Sequence, residues 1–152
     1  MRPLLKTSVL TAIAAAVGTR GTKTDTAWYR KLDKPDWQPP GEVFPIVWTP
    51  MYSLIAWGTG RAIAKAPEDE RGRLLALTAA DLAVNAGWCW AFFDRQSPRA
   101  GLVTIAVLNG LNLALVREAG RQDRLAAAAL TPYVGWTAFA TALNVSIWRR
   151  NR

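Results

Sequence analysis

Aromatic and polar side chains recur at helical spacing in two segments, where they could bind a flat, partly polar ligand. One stripe consists of Tyr133, Trp136, Ala140 and Asn144, and the other consists of Asp81, Asn85 and Trp88. Residues three or four apart share one face of a helix. Tryptophan can stack on a flat ring system while tyrosine and asparagine reach its polar edge, and Trp48 would add a third wall. The alternative is interhelical packing, in which asparagine bonds across helices and alanine permits close approach.

Residue counts exclude most catalytic and metal chemistry at such a site. The chain has no histidine, which is the commonest general base and a common ligand of zinc and haem iron. Cys89 is the only cysteine, so neither an internal disulfide nor a thiolate metal site can form. We therefore expect no metal, no required cofactor and no firmly assigned catalytic residue. Any binding would rely on shape and on stacking by the 8 tryptophans.

Stretches of sequence without charged residues predict the helices that carry the aromatic and polar stripes. Such runs cover 7–19, 43–60, 74–93 with only Asp81 inside, 100–116 and 125–148. A hydrocarbon core of roughly 30 Å needs about 20 helical residues, and lysine or arginine at the ends can extend a short run. The prediction is an all-α membrane protein, a bundle of five transmembrane helices over about 4–19, 44–64, 73–94, 98–117 and 124–148. Residues 1–152 would form a single domain with an ordered loop over about 20–43.

A soluble bundle of five amphipathic helices is the alternative fold. The run 100–116 argues against it, because its only clearly polar residues are Thr104, Asn109 and Asn112. A helix that is apolar on all sides lies in lipid or deep inside a large protein, and 152 residues provide no such interior.

The basic start of the chain and the apolar run behind it also resemble a signal peptide.

The charge distribution favours lipid headgroups or an anionic ligand over nucleic acid. Lysine and arginine number 19 against 11 acidic residues, which gives a net charge of +8. These residues are scattered over every connection, whereas a nucleic-acid-binding surface gathers them in one patch. The two sides of the membrane would carry 9 and 10 basic residues, so the count does not set the orientation.

The long first connection has the composition of an ordered element. It contains Trp28, Tyr29, Trp37 and the pair Pro39–Pro40, which forces extended backbone. A long ordered loop between helices often serves as a lid or a binding element. The alternative is an aromatic belt at the lipid headgroups.

A set of short motifs runs through the whole chain in a specific order. The first part reads Trp28-Tyr29, Lys34-Pro35, Trp37-x-Pro39-Pro40, Phe44-Pro45, Trp48-Thr49 and Tyr52. The second part reads Leu82-x-x-Asn85-x-x-Trp88, Phe92-Phe93 and Pro132-Tyr133-x-x-Trp136-x-x-Phe139-Ala140-x-x-Leu143-Asn144. In this order and spacing the chain resembles the tryptophan-rich sensory protein / translocator protein family (TspO/TSPO). The resemblance includes the first helix, which we therefore expect to be retained.

The resemblance implies a multi-pass integral protein of a bacterial cell-envelope membrane, inner or outer, usually a homodimer. It implies binding of porphyrins such as protoporphyrin IX and haem inside the bundle beneath the first loop, and of hydrophobic ligands such as isoquinoline carboxamides. The implied function is a porphyrin sensor or carrier that regulates tetrapyrrole or stress responses. One alternative is an enzyme for light-dependent oxidation of bound protoporphyrin, with Trp48 and Trp136 as candidate redox residues. A second alternative is a small-molecule transporter.

The resemblance extends to individual residues of the binding site. The ligand-binding candidates are Tyr29, Trp37, Pro39, Trp48, Tyr52, Asp81, Asn85, Trp88, Phe92, Tyr133, Trp136, Phe139, Ala140 and Asn144. Arg30, Lys31 and Lys34 could meet porphyrin propionates at its mouth, or could instead contact anionic lipid.

Two positions depart from the family pattern. Asp81 stands where the family usually has glutamine, and a carboxylate within a span is functional or paired. We expect a neutral Asp81 that bonds Asn85 one turn on. Val145 replaces the tyrosine of the cholesterol consensus in animal members, so we do not expect cholesterol binding.

The fourth predicted helix also carries three small residues at regular intervals of four positions. Ala106, Gly110 and Ala114 are four residues apart. Such a stripe predicts either a packing seam within the bundle or a dimer face.

Overall fold

Six α-helices account for most of the chain in the computed structural model, which describes residues 2–152. They are α1 (Pro3–Gly21), α2 (Ala27–Lys31), α3 (Val43–Lys65), α4 (Glu68–Cys89), α5 (Pro98–Gln122) and α6 (Arg124–Arg150). A π-helical turn over Trp90–Asp94 continues α4. The five long helices correspond to the five predicted spans, and the short α2 lies within the connection between the first two.

Local chemistry at the helix starts explains these boundaries. Ser97 caps α5 by accepting a hydrogen bond from the Ala100 amide at 3.1 Å, and Pro98 occupies the first turn. Asp123 caps α6 in the same way through the Ala126 amide at 2.9 Å. These caps fix where two antiparallel helices begin.

Two predicted boundaries in the second half of the chain differ from the structure. The third span was expected from 73, but α4 begins at Glu68 because three acidic residues in its first turn complement the helix dipole. The fourth was expected to end at 117, but α5 continues to Gln122 because Glu118 pairs with Arg73 and Arg121. Charged residues therefore extend both helices beyond their apolar runs.

The five long helices form a closed ring. Helix α1 packs on α3 and α4, α5 packs on α4 and α6, and α3 packs on α6. The loop, the end of α4, the start of α5 and the end of α6 therefore share one end of the bundle. The connections around 66 and 123 share the other end, where Asp123 binds Arg61 and Lys65 of α3.

The surface of the ring is apolar and its interior is partly polar, as expected in lipid. Exposed side chains include Leu5, Val9 and Ile13 of α1 and Val103 and Leu113 of α5. Buried polar residues are Thr7, Thr11, Thr59, Thr78, Asp81, Asn85, Asn112, Thr137 and Asn144. The threonine hydroxyls bond to helix carbonyls, which satisfies them within the bundle.

Length and mean hydropathy alone identify two helices that can cross a membrane. They are Glu68–Asp94 and Pro98–Gln122. Tryptophan, tyrosine, proline, threonine and terminal charges lower the mean in the other long helices. Since apolar side chains cover the outer surface of the ring, the architecture fits a membrane helical bundle.

The small-residue stripe of α5 faces outward. Ala106 and Gly110 are exposed, and a Cβ atom added at Gly110 would meet no described atom within 4 Å. The stripe is therefore not a packing seam within the bundle.

Candidate functional site

Two helices bring aromatic rings together beneath the loop. On α3, Trp48 stacks on Tyr52 with ring centroids 5.1 Å apart. On α6, Trp136 stacks on Phe139 at 5.3 Å. The spacings of four and three residues along each helix place each pair on one face.

The two aromatic pairs meet where α3 packs on α6. The Trp48 ring lies edge-on to Trp136 at 6.4 Å and to Tyr133 at 6.2 Å. Phe44, one turn before Trp48, contacts Trp136 at 5.8 Å. We call the six residues Phe44, Trp48, Tyr52, Tyr133, Trp136 and Phe139 the aromatic site. Its rings form one continuous apolar surface between the helices.

The first loop covers this site. Trp37 packs edge-on against Phe139 at 5.8 Å while half of its surface stays exposed. The Gln38 side-chain amide donates to the Tyr29 hydroxyl at 3.3 Å, and the Lys34 ammonium lies 4.3 Å from the centre of the Tyr29 ring. The loop is therefore an ordered structure built on its own aromatic residues.

Polar contacts fasten the loop to the rest of the bundle. The Asp33 amide donates to Asn151 Oδ1 at 2.9 Å, and Asn151 Nδ2 donates to the Asp33 carbonyl at 2.9 Å. Lys23 pairs with Asp94 at the end of the π-helical turn. These contacts hold the loop near its start and near its middle.

A chain of hydrogen bonds forms the floor of the aromatic site. The Tyr52 hydroxyl donates to Asn85 Oδ1 at 3.2 Å, and Asn85 Nδ2 donates to the Tyr133 hydroxyl at 2.8 Å. Tyr133 in turn donates to Asp81 Oδ1 at 2.9 Å. The expected direct bond between Asp81 and Asn85 is wrong, because Tyr133 from α6 lies between them and bonds both. We call these four residues the polar chain.

A second aromatic cluster surrounds the end of α4. Trp88 stacks on Phe92 at 5.2 Å and meets Phe93 edge-on at 5.8 Å. From the loop, Trp28 contacts Phe92 at 5.7 Å and Tyr29 contacts Phe93 at 5.3 Å. Of the ligand-binding candidates, Tyr29, Trp88 and Phe92 therefore belong to this cluster and not to the aromatic site.

Asn144 ties the second cluster to α5 and α6. Its Oδ1 accepts from Trp88 Nε1 at 3.0 Å, and its Nδ2 donates to the Pro98 carbonyl at 2.9 Å. Close approach at Gly101 makes this possible, because an added Cβ there would lie 2.7 Å from Asn144 Oδ1. Asn144 thus bonds three helices together, which is the packing role weighed for it in the sequence.

The remaining candidates lie around these two groups. Pro39 in the loop and Ala140 on α6 are partly buried. Arg30 and Lys31 are exposed, and neither forms an ion pair within residues 2–152. Lys34 is turned inward and donates to the Tyr29 carbonyl. Arg30 and Lys31 are therefore the basic side chains that remain available to an anion.

Sequence reasoning left three aromatic residues of these two clusters off the list of ligand-binding candidates. Phe44 precedes Trp48 by four residues, and this spacing was a sufficient signal for it. Trp28 and Phe93 enter through loop and π-turn contacts, which no helical spacing describes. In the described part of the chain, acidic and cysteine side chains form no group that could hold a metal.

Two shallow depressions lie on the outer surface of the bundle. One, of about 530 Å³, lies on α6 between Ala142 and Arg150. The other, of about 380 Å³, lies between α1 and α3 and includes Tyr52 and Trp57. Tyr52 therefore reaches both the aromatic site and the α1–α3 surface.

Comparison with known proteins assigns the architecture to a family. The model of the TspO/MBR family matches residues 7–149. Protein CrtK of Rhodobacter capsulatus is 35% identical over 141 residues, covering 92% of this chain and 88% of the relative. Tryptophan-rich protein TspO of Chlorobaculum tepidum is 33% identical over 159 residues, covering 99% and 98%. The human translocator protein is 31% identical over 157 residues, covering 98% and 90%. This chain belongs to the TspO/MBR family of integral membrane proteins.

Proposed function

We propose that this protein is a membrane receptor for porphyrins, a sensor or carrier that binds the macrocycle in the aromatic site. The observation that carries the proposal is the meeting of Trp48 and Trp136 from two helices beneath an ordered loop. Their indole faces can stack on a flat ring, and Asn85 and Tyr133 supply polar groups directly below. Relatives named tryptophan-rich sensory protein and translocator protein support a ligand-binding role.

The ring distances indicate how such a ligand would enter. A macrocycle held between two aromatic faces needs about 7 to 8 Å between them, because each stacked contact occupies about 3.5 to 4 Å. Trp48 and Trp136 lie 6.4 Å apart with their planes at 88°. Binding would therefore turn one indole parallel to the other and would release the edge contacts that both now make. The loop would open toward solvent to admit the ligand.

Charge would orient the ligand at the mouth of the site. Porphyrin propionates are anionic, and Arg30 and Lys31 of the loop are exposed. Charge-assisted hydrogen bonds to these side chains would hold the propionates at the membrane surface while the ring enters between α3 and α6. Isoquinoline carboxamides, which lack such groups, would use the stacking contacts alone.

Homodimer formation remains a prediction from the family resemblance.

Equilibrium titration of the detergent-solubilised protein with protoporphyrin IX tests the proposal. We expect saturable quenching of tryptophan fluorescence, weakened by about threefold to tenfold in Trp136→Phe, because a lost indole contact is worth about 1 kcal/mol. Trp57→Phe is the matched control, since Trp57 lies on the outer surface beside Arg61. Linear quenching that is identical in all three proteins would mean that porphyrin only partitions into detergent.

The two alternative functions are separated by further measurements on the same proteins. If Trp136→Phe binds porphyrin but no longer bleaches it under light, the tryptophan takes part in an oxidation. If binding and bleaching fall together, the tryptophan only forms the site. Porphyrin flux into proteoliposomes would identify a transporter.

A further inference from the structure

The polar chain beneath the aromatic site is oriented toward one carboxyl group. Tyr52 donates to Asn85, Asn85 donates to Tyr133, and Tyr133 donates to Asp81. Hydrogen bonds in a row polarise one another, so each donor strengthens the next one along the chain. The chain therefore ends in a donor aimed at Asp81 Oδ1.

The second oxygen of this carboxyl group has no such partner. Asp81 is fully buried, and its Oδ2 atom accepts and donates no hydrogen bond within residues 2–152. None of the ion pairs in this part of the chain includes Asp81. A buried carboxylate without a counter-charge is costly, and a proton on Oδ2 removes that charge.

The charged residues of the neighbouring helices lie far from Asp81, so a proton is the simplest ligand for its carboxyl group. The titratable groups that face it are Tyr52 from α3 and Tyr133 from α6, with Cys89 two turns further along α4. The charged residues of α1 lie near its ends at Lys6 and Arg20. The charged residues of α5 also lie near the ends of that helix, at Arg99 and from Arg117 onward. The nearest basic residue on α4 is Arg73, about 12 Å away along the helix axis.

Trp48 connects the polar chain to the aromatic site. Its ring contacts both Tyr52 and Tyr133, whose hydroxyls lie on either side of Asn85. A macrocycle placed between Trp48 and Trp136 would turn the Trp48 ring and release its edge contact with Tyr133, so that Tyr133 could move. Moving Tyr133 withdraws the donor from Asp81 Oδ1.

We propose that Asp81 is a proton-binding site and that porphyrin binding in the aromatic site is accompanied by uptake of one proton there. A proton from water binds Oδ2 and converts the carboxylate to the neutral acid as the Tyr133 hydroxyl leaves Oδ1. The coupling half of this inference rests on the proposed function. By linkage, the affinity for porphyrin rises as the pH falls.

The test compares dissociation constants at about pH 6 and about pH 8. Protoporphyrin IX dimethyl ester is the probe, because esterification removes the propionates that would titrate. For wild type we expect tighter binding at the lower pH, by at most about tenfold per pH unit. Asp81→Asn should bind equally at both pH values, since asparagine mimics the neutral acid. Asp69→Asn, the same change at an exposed position of α4, should behave like wild type.

The possible failures are distinguishable. Saturable binding with the same pH dependence in Asp81→Asn, or with none in wild type, would overturn the coupling and leave the porphyrin proposal intact. Absence of saturable binding at either pH would overturn the proposed function and the coupling with it. The proton site is then judged by infrared spectroscopy of the ligand-free protein. A protonated-carboxyl band that is lost in Asp81→Asn and weakens as the pH rises from about 5 to about 8 supports it, and no such band, or one of constant strength over that range, overturns it.

Discussion

Replacing Gly101 with alanine should disrupt the contact that joins α5 to Asn144. The new methyl group would lie 2.7 Å from Asn144 Oδ1 and 3.0 Å from Phe92 Cδ2, so at least one of these side chains must move. Either movement weakens the bond that Asn144 accepts from Trp88. Gly110→Ala on the same helix is the matched control, because its methyl group would meet no described atom within 4 Å.

The two variants should change stability in opposite directions. Overpacking costs about 1–3 kcal/mol, and alanine regains about 0.5–1 kcal/mol through its helix propensity. Gly101→Ala should therefore lose about 1–2 kcal/mol of the free energy of unfolding. Gly110→Ala should gain about 0.5–1 kcal/mol. At about 2–4 °C per kcal/mol, Tm should fall by about 2–8 °C in the first variant and rise by about 1–4 °C in the second.

Thermal unfolding in detergent can be followed with a thiol-reactive fluorescent dye. Cys89 is the only cysteine and is partly buried, so the dye reports opening of the bundle. A double-mutant cycle with Asn144→Ala then isolates the contact, because the cost of Gly101→Ala should shrink once Oδ1 is absent. Equal Tm values for the two glycine variants, or full additivity in the cycle, would refute the packing described for Asn144.

Two further predictions concern the ends of the bundle. Hydrogen bonds from Arg61 and, to a smaller extent, from Lys65 hold the pKa of the Asp123 carboxyl below its usual range. The ionised carboxylate therefore stabilises the fold at pH values above the ordinary pKa of aspartate, and this stabilisation is lost as the pH falls. Between about pH 7 and pH 3, Tm should fall more in wild type than in Asp123→Asn, and equal losses would contradict this. Asn151→Ala should lose two hydrogen bonds to Asp33 and speed tryptic cleavage after Arg30 by roughly fivefold or more, whereas an unchanged rate would show that these bonds do not hold the loop.

The sequence contained enough information for the spans and for the facing aromatic pairs. Charge-free runs marked the five long helices, because charge is excluded from the hydrocarbon core. Spacings of three and four residues placed Trp48 with Tyr52, and Trp136 with Phe139, on shared helix faces. These features are local in the sequence, so periodicity alone describes them.

Contacts between distant segments could not be predicted in the same way. Trp88 bonds Asn144, 56 residues away, because α4, α5 and α6 converge at Gly101. Tyr133 separates Asp81 from Asn85 because α6 inserts its phenol against α4. Helical spacing shows which residues share a face, but it does not show which neighbouring helix supplies their partners.

The conformations of the loop and of the end of α4 could not be predicted from local sequence patterns, for another reason. Helix α2 has five residues, which is too short for a periodic pattern. The π-helical turn over Trp90–Asp94 changes the rotation of the chain per residue, so the regular period of 3.6 no longer assigns the directions of Phe92 and Phe93.

The position of the macrocycle in crystals grown with protoporphyrin IX tests the central claim most directly. The account predicts the ring between Trp48 and Trp136, with their planes turned toward parallel and their centroids moved from 6.4 Å to about 7–8 Å. It also predicts the propionates near Arg30 and Lys31. A macrocycle on the outer surface of α6 near Ala142, with the contacts between Trp48 and Trp136 unchanged, would contradict it.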